Sequence, residues 1–282
     1  MKTNTEHKTM KTISIFVFIL ISFNIYPQSI LINEVMSSNS ATIADFEGDF
    51  PDWIELYNTA DATVYLYGFG LSDDPNEPFK WTFPNVALPS NDHLLLFASD
   101  KDITDIGTHW ETVIDHGDEW NYFQGSQEPP SNWNQSGFDD ASWIVGSSGF
   151  GYGDGDDNTI VSQTTSVYIR KVFNTENLGE IVRAAFHVDY DDAFVAYING
   201  TEICRANIGV TGTPPTFDQT ANEGHEALMY QGGNPEYFAV EANLLGQGEN
   251  VIAIQVHNVT SDSSDMTIIP FLSLLLTNEP DN

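Results

Sequence analysis

The sequence is poor in cysteine and in positively charged residues. Its 282 residues include one cysteine, Cys204, so no disulfide can form within the chain. Lysine and arginine together number 9 against 41 aspartates and glutamates, which gives a formal net charge of -32 at pH 7. A polyanion of this size repels nucleic acid and anionic lipid, so neither is expected as a partner. The charge instead suits calcium, a neutral polysaccharide, or simple solubility outside a cell.

The sequence also lacks sustained helical periodicity, and its one long apolar run in the N-terminal region is ISIFVFILISFNI at residues 13–25. Lysines among the first eleven residues precede this run, which is too short and too interrupted to span a bilayer comfortably. We therefore predict a signal peptide at residues 1–29, cleaved near Gln28 or Ser29. The mature chain is expected to have no membrane span and to be secreted or held at the cell surface.

What the sequence does contain is a series of short segments rich in β-branched and aromatic residues, separated by turn-forming residues. Regularly spaced short strands of this kind are typical of β-sandwiches. We predict an all-β fold, with an immunoglobulin-like sandwich at residues 30–107 followed by a jelly-roll β-sandwich at residues 108–277. Residues 278–282 are expected to form a linker or tail, and Cys204 to pack as a small hydrophobe.

Five motifs of the first predicted sandwich follow one another in a specific order. They are INEVM (32–36), DWIELYN (52–58), GFGLSDD (68–74), WTFP (81–84) and LLLFAS (94–99). In this order and spacing they resemble a lamin tail domain. The resemblance implies an immunoglobulin-like sandwich of the kind found as a non-catalytic module in exported bacterial proteins. The closing strands of that pattern are hard to find, so either THWETVID at residues 108–115 takes the place of one, or the second domain interrupts the first.

Two motifs of the second predicted sandwich carry another resemblance. DYDDAFVAYINGTEI (189–203) and GQGENVIAIQVHN (246–258) are similar to the galactose-binding-like jelly roll at the front of many sugar-active enzymes. The pair of modules resembles the N-terminal part of exported bacterial proteins that carry a spore-coat CotH kinase-like domain. That resemblance implies a C-terminal partner domain, which these residues do not contain.

Two acidic turns are candidates for a calcium site. GYGDGDD (151–157) offers Asp154, Asp156 and Asp157 as ligands, but it is not an EF-hand, because threonine stands where that loop needs glycine and glutamate. VTSDSSDM (259–266) adds Asp262 and Asp265 if the two turns meet in space. The alternative is that both are solvated turns whose serines and aspartates satisfy backbone amides.

The DYDDA run (189–193) offers a different chemistry. Alternation along a strand places Asp189 and Asp191 on one face and Asp192 on the other. Alternate residues of a strand lie ~6.5 to 7 Å apart, a separation that does not exclude a glycosidase carboxyl pair. The same acids can instead cap the strand and accept hydrogen bonds from a loop, and the resemblance to a jelly-roll strand favours this structural role.

Aromatic residues in the loop-rich text are the candidates for a ligand-binding surface. Exposed aromatic faces stack on sugar rings, whereas buried ones belong to sandwich cores. The residues predicted to bind a ligand are Trp120, Tyr122, Trp133, Tyr152 and Arg205.

No enzyme signature is complete. HEALM (225–229) lacks the second histidine of a zinc-protease helix, and GSSG (146–149) is not a nucleophile elbow. We therefore predict a non-catalytic exported module pair that binds carbohydrate or another extracellular ligand and positions a partner domain. Two alternatives stay open: a glycoside hydrolase with paired aspartates in the jelly roll, and a structural or adhesion spacer held rigid by calcium. Calcium is the one cofactor expected.

Overall fold

The computed structural model describes residues 29–45, 47–101, 103 and 107–277. Within these ranges the ordered elements are β-strands and three short 3₁₀ turns, with no α-helix, so the all-β prediction is confirmed. No helix in the described part of the chain is long and apolar enough to cross a bilayer. The predicted signal peptide, apart from Ser29, and the predicted tail lie outside the described residues.

Seven short strands form the first sandwich. They are β1 (Ile30–Met36), β2 (Asp52–Asn58), β3 (Val64–Tyr65), β4 (Gly70–Leu71), β5 (Trp81–Thr82), β6 (Ala87–Leu88) and β7 (His93–Ala98). An antiparallel sheet of order β1-β2-β7 packs against two ribbons, β3-β6 and β4-β5. Alternation in β2 sends Ile54 and Leu56 into a small core with Leu66, Phe83 and Leu88. The apolar alternation of DWIELYN therefore places its aliphatic side chains on the core face of the central strand.

Twelve further strands form the second sandwich. They are β8 (His109–Ile114), β9 (Glu119–Gln124), β10 (Ile144–Ser147), β11 (Phe150–Tyr152), β12 (Thr159–Ile160), β13 (Ser166–Thr175), β14 (Ile181–Asp191), β15 (Ala193–Ile198), β16 (Thr201–Ala206), β17 (Glu236–Val240), β18 (Gly248–His257) and β19 (Met266–Leu276). One sheet has the order β10-β9-β13-β18-β15-β16. The other has the order β12-β11-β19-β14-β17, with β8 paired to β19.

The segment THWETVID is a strand, but not of the first sandwich. It forms β8, which runs antiparallel to β19 from the pair Leu276 and His109 to the pair Leu272 and Ile114. Ile114 is fully buried in the core of the second sandwich. The expectation that this segment takes the place of a closing strand of the first sandwich is therefore wrong.

Strand β15 is buried on both faces, which explains its nearly continuous apolar sequence, AFVAYI. Phe194, Ala196 and Ile198 point into the core between the two sheets. Val195 and Tyr197 point the other way, into a second apolar cluster on the outer face of the sheet.

That outer face is covered by two long connections, at residues 125–143 and 207–221. Trp133 is the largest buried side chain that covers this face. Its ring centroid lies 4.9 Å from that of Tyr168 and 5.8 Å from that of Tyr197, both in edge-on contacts. Arg170, which is buried beneath the first connection, holds it by donating hydrogen bonds to the carbonyl oxygens of Gln135 at 3.0 Å and Phe138 at 3.3 Å. Long loops lacking strands of their own are therefore structural parts of this sandwich.

Candidate metal centre

The turn that follows β11 folds back on itself and carries three aspartates inward. We call residues 153–158 the aspartate loop. Its backbone takes positive φ at Gly153 (109°) and Gly155 (90°), a conformation that side-chain-bearing residues rarely adopt. A Cβ at Gly151 would overlap the carbonyl oxygen of Met266 and a carboxylate oxygen of Asp157. The glycines of GYGDGDD thus allow the loop to lie close against β19.

Asp154, Asp156 and Asp157 converge within this loop. Each offers a carboxylate oxygen, and these three atoms lie within 4.8 Å of one another. Five of the six carboxylate oxygens are buried and accept no hydrogen bond from any residue that the structure describes. The sixth, Oδ2 of Asp154, accepts a hydrogen bond of 2.9 Å from the hydroxyl of Thr267. Buried carboxylate oxygens without donors are destabilising unless a cation or proton neutralises them.

The electrostatics of the loop agree with its geometry. Burial, followed by the charges of Asp154 and Asp156, raises the pKa of Asp157 to about 8. Burial also raises the pKa of Asp156 to about 6, and the neighbouring Asp154 carboxylate adds to this rise. No basic side chain contributes to either pKa shift, so no cationic side chain offsets the repulsion among these three carboxylates.

The second acidic turn contacts the first, but its Asp265 belongs to a separate carboxylate group, so the prediction that it joins Asp154, Asp156 and Asp157 is corrected. The Tyr152 hydroxyl donates a hydrogen bond of 3.2 Å to the carbonyl oxygen of Ser263, and the Asn258 side chain donates one of 2.9 Å to that hydroxyl. Asp265 faces Asp191 and Glu226, with one carboxylate oxygen from each within 4.8 Å of the others. Asp262 is exposed and belongs to neither carboxylate group, so its prediction as a ligand is corrected.

Two of the three acids of the DYDDA run are engaged by backbone amides. The carboxylate of Asp189 accepts hydrogen bonds from the N–H groups of Leu228 at 2.7 Å and Met229 at 2.9 Å. The carboxylate of Asp192 accepts two more, from the N–H of His225 at 2.8 Å and the N–H of Val259 at 2.7 Å. The structural role predicted for these acids is confirmed for Asp189 and Asp192.

The predicted aromatic surface is not assembled. Trp120 is 2% exposed in the core between the sheets, and Trp133 is 6% exposed beneath the loops on the outer face, so neither ring can stack on a sugar. Tyr122 is half-buried, with its ring 5.3 Å from that of Phe150. The two tryptophans fill the two apolar layers of the sandwich, and their prediction as ligand-binding residues is corrected. Tyr122 and Tyr152 are partly buried, and their role in ligand binding stays a prediction.

Arg205 is also committed to the fold. Its guanidinium makes a two-pronged ion pair with Glu202, with both N–O distances at 2.7 Å. It further donates to the carbonyl oxygens of Ile208 and Thr213, each at 3.2 Å. This clamp fixes the connection after β16, and it corrects the prediction that Arg205 contacts a ligand.

Two features of the first sandwich were not found from the sequence. Lys101 is held by the carboxylates of Asp45 at 2.7 Å, Glu47 at 2.5 Å and Asp49 at 2.7 Å, so this acidic trio already has its cation. The other feature is a set of exposed aromatic rings, which belong to Tyr65, Tyr67, Phe69 and Phe79. The closely spaced aromatic residues of YLYGF (65–69) are the sequence signal that could have indicated this feature.

Comparison with known families places the chain. The model of the lamin tail domain family matches residues 26–171, which is more than half of the sequence. The chain therefore belongs to the lamin tail domain family. The match runs through the first sandwich and into β13 of the second. No curated protein matches the sequence.

Solved structures give weaker likenesses. A calcium-binding mutant of Bacteroides uniformis beta-glucuronidase 2 has 14% identity and a TM-score of 0.37, covering 59% of this chain and 18% of that one. An uncultured Clostridium sp. beta-glucuronidase has 13% identity and a TM-score of 0.39, covering 63% and 30%. Ruminococcus gnavus beta-glucuronidase has 9% identity and a TM-score of 0.36, covering 61% and 30%. The chain thus spans less than a third of the length of these enzymes, and such low scores assign it no activity.

Proposed function

We propose that this chain is a non-catalytic, exported pair of modules whose second sandwich binds a calcium ion through Asp154, Asp156 and Asp157. The observation that carries the proposal is the set of five buried carboxylate oxygens in the aspartate loop that accept no hydrogen bond from the described residues. A bound divalent cation would neutralise them and join the loop to β19. The pair of modules would then position a partner domain, as the resemblance to CotH-associated proteins suggests.

The chemistry of the donor set favours calcium among the common metal ions. The aspartate loop offers only oxygen, and its trio contains neither histidine nor cysteine, which zinc sites generally use. Calcium takes roughly six to eight oxygens in flexible geometry, and three carboxylates supply between three and six of them. A chain of net charge -32 also attracts cations from solution.

The engagement of the DYDDA acids supports a non-catalytic role. A glycosidase pair needs two carboxyls free to exchange protons with substrate or water. Asp189 accepts two backbone hydrogen bonds, so it is not free to act with Asp191 as the catalytic carboxyl pair that the strand alternation allowed. We expect the purified chain to release no sugar from a polysaccharide panel. Hydrolysis that Asp191→Asn abolishes would contradict the non-catalytic assignment.

Thermal unfolding with and without calcium tests the metal proposal. The chain without its predicted signal peptide is stripped with chelator and melted in chelator or in millimolar calcium. Because an ion that binds only the folded state stabilises it, we expect calcium to raise the midpoint of the wild type by more than that of Asp157→Asn. Asp262→Asn is the matched control, since Asp262 is exposed and outside both carboxylate groups. An unchanged wild-type midpoint, or an equal shift in Asp157→Asn, would show that the aspartate loop binds no calcium.

Carbohydrate binding is the second candidate function, and a different surface favours it. On the first sandwich Tyr67 is 74% exposed, Tyr65 67% and Phe79 65%. Exposed rings of this kind stack on the apolar faces of sugars, and a neutral polysaccharide avoids repulsion by the acidic chain. We expect the wild type to bind neutral glycans on an array and Tyr67→Ala to lose that binding. Tyr230→Ala removes an exposed ring of the second sandwich as a control; equal losses in both variants, or no binding at all, would reject this surface.

A further inference from the structure

A second group of carboxylates lies outside the aspartate loop. Asp191 ends β14, Glu226 lies in the long connection between β16 and β17, and Asp265 immediately precedes β19. One carboxylate oxygen from each lies within 4.8 Å of the others. Three segments that are distant in sequence thus bring negative charge to one point.

Asp191 is the unusual member of this group. It is 3% exposed, and its carboxylate accepts no hydrogen bond among residues 29–45, 47–101, 103 and 107–277. Its neighbours Asp189 and Asp192 are equally buried, but each accepts two backbone N–H bonds. The DYDDA run therefore uses two acids to hold loops and leaves the third facing Glu226 and Asp265.

The surroundings of Asp191 are uniformly unfavourable for an isolated carboxylate. Burial comes first, and the charges of Asp192, Asp265, Glu226 and Asp154 add to it, so that the pKa of Asp191 rises to about 8. A buried carboxylate beside other carboxylates is destabilising unless a cation pairs with it. The acidic trio of the first sandwich differs in this respect, because Lys101 contacts all three of its carboxylates.

We infer that Asp191, Glu226 and Asp265 bind a second divalent cation, separate from the one at the aspartate loop. The two carboxylate groups share no residue. They are neighbours, since a Cβ on Gly153 would lie 2.8 Å from the Cβ of Asp265. Occupancy of this site ties the end of β14 to the start of β19 and to the connection that carries Glu226.

The second site differs from the first in its access to solvent. Glu226 is exposed, whereas Asp191 is buried, so the cation is reached from the side of Glu226. Three carboxylates leave calcium short of its usual roughly six to eight oxygens unless some of them bind through both oxygens. Water or the hydroxyl groups of a ligand complete the coordination on the open side. The second site does not require the aspartate loop, because different residues would bind the cation at each site.

Equilibrium dialysis of the chelator-stripped chain against calcium, from micromolar to millimolar, tests the inference. We expect two ions per chain in the wild type and in Glu223→Gln, an exposed acid of the same connection that belongs to neither group. Glu226→Gln should weaken one of the two binding events by at least roughly tenfold, because affinity follows the charge count of the ligands. Glu226 is exposed, so this variant does not disturb the core; Asp191→Asn should weaken the same event.

The outcomes separate this inference from the proposed function. One ion in the wild type, lost in Asp157→Asn and unaffected by Glu226→Gln and Asp191→Asn, overturns the second site and leaves the first. Two ions with unchanged affinities in both of the latter variants overturn it as well. A binding event that Glu226→Gln and Asp191→Asn both weaken, and that Asp157→Asn leaves unchanged, supports it even if the aspartate loop binds nothing.

Discussion

The hydroxyl of Thr267 donates a hydrogen bond of 2.9 Å to Oδ2 of Asp154. Thr267 is fully buried on β19, and its hydroxyl is the one hydrogen-bond donor that the described residues aim at the carboxylates of the aspartate loop. This contact links the loop to β19, the strand that Asp265 immediately precedes. The loop is thus held in place while nearly all of its oxygen atoms stay available to a cation.

Removal of that donor should have an effect that depends on calcium. Thr267→Val keeps the shape of the side chain but leaves Oδ2 of Asp154 without a partner. In chelator we expect a loss of about 1–3 kcal/mol in the free energy of unfolding, the usual cost of an unsatisfied buried acceptor. In calcium the loss should be smaller, because the cation neutralises the same carboxylate. Urea denaturation in both buffers measures the difference, and equal losses would show that Asp154 takes no part in cation binding.

In the chelator-stripped chain the free energy of unfolding should depend on pH through the titration of Asp157. Its pKa of about 8 in the folded chain lies above the ordinary 3.8, so the folded state holds the proton more tightly. The corresponding stabilisation is present below pH 4 and is lost as the pH rises through 8. Asp157→Asn does not titrate, so the stability of the wild type relative to this variant should fall between pH 5 and pH 8.5.

The measurement for Asp157 is the free energy of unfolding at several pH values in chelator, compared between the two proteins. Asp262→Asn serves again as the control, and its difference from the wild type should stay flat. A wild type that gains stability relative to Asp157→Asn as the pH rises would show that the Asp157 carboxylate is not buried among like charges.

His257 should give the opposite pH dependence. Its ring is fully buried, Nδ1 lies 2.8 Å from the carbonyl oxygen of Gln219, and Nε2 has no partner among the described side chains and backbone. Burial lowers its pKa to about 4 from the ordinary 6.5, although the contact with Gln219 opposes this. The stabilisation from the neutral ring is therefore present above pH 6.5 and is lost as the pH falls through 4.

Replacement of the ring tests this directly. Between pH 7 and pH 4 the wild type should lose about 3 kcal/mol relative to His257→Gln, the size that follows from the two pKa values. Chemical denaturation across this range supplies the free energies. Parallel curves for the two proteins would mean that the imidazole is protonated as easily in the folded chain as in the unfolded one.

Trp133 should behave as a core residue. Its truncation in Trp133→Ala leaves a cavity between the outer loops and the sheet, for which we expect a loss of about 3–5 kcal/mol in unfolding free energy. Glycan binding by the folded protein should be unchanged. Tyr67→Ala is the complementary variant, because its ring is exposed and its loss should leave stability nearly unaltered. A stable Trp133→Ala protein that fails to bind glycans would restore the surface role.

Features with a local cause were predictable from the sequence. Asn199 and Gly200 take φ values of 51° and 83° between β15 and β16, which is the two-residue hairpin that Asn-Gly favours. The motif DWIELYN forms the central strand of the first sandwich for the same reason, because alternation alone fixes which side chains point to the core.

Features set by distant parts of the chain were not predictable. The burial of Trp133 depends on a loop without strands folding over the outer face of a sheet, and no spacing in that loop shows it. Glu226 reaches Asp191 across an irregular connection, so no motif places the two together. The aspartate loop lies between these cases, since its three candidate ligands were identifiable from the sequence, whereas their burial depends on the neighbouring strand β19.

Calorimetric titration of calcium into the chelator-stripped chain at pH 7 is the most direct test of a cation at the aspartate loop. We expect saturable binding that releases a proton, because Asp157 is largely protonated at pH 7 in the absence of metal, and we expect one binding event to be lost in Asp157→Asn. Heats that do not saturate below about 10 mM calcium, beyond the affinity range of extracellular calcium modules, would contradict it.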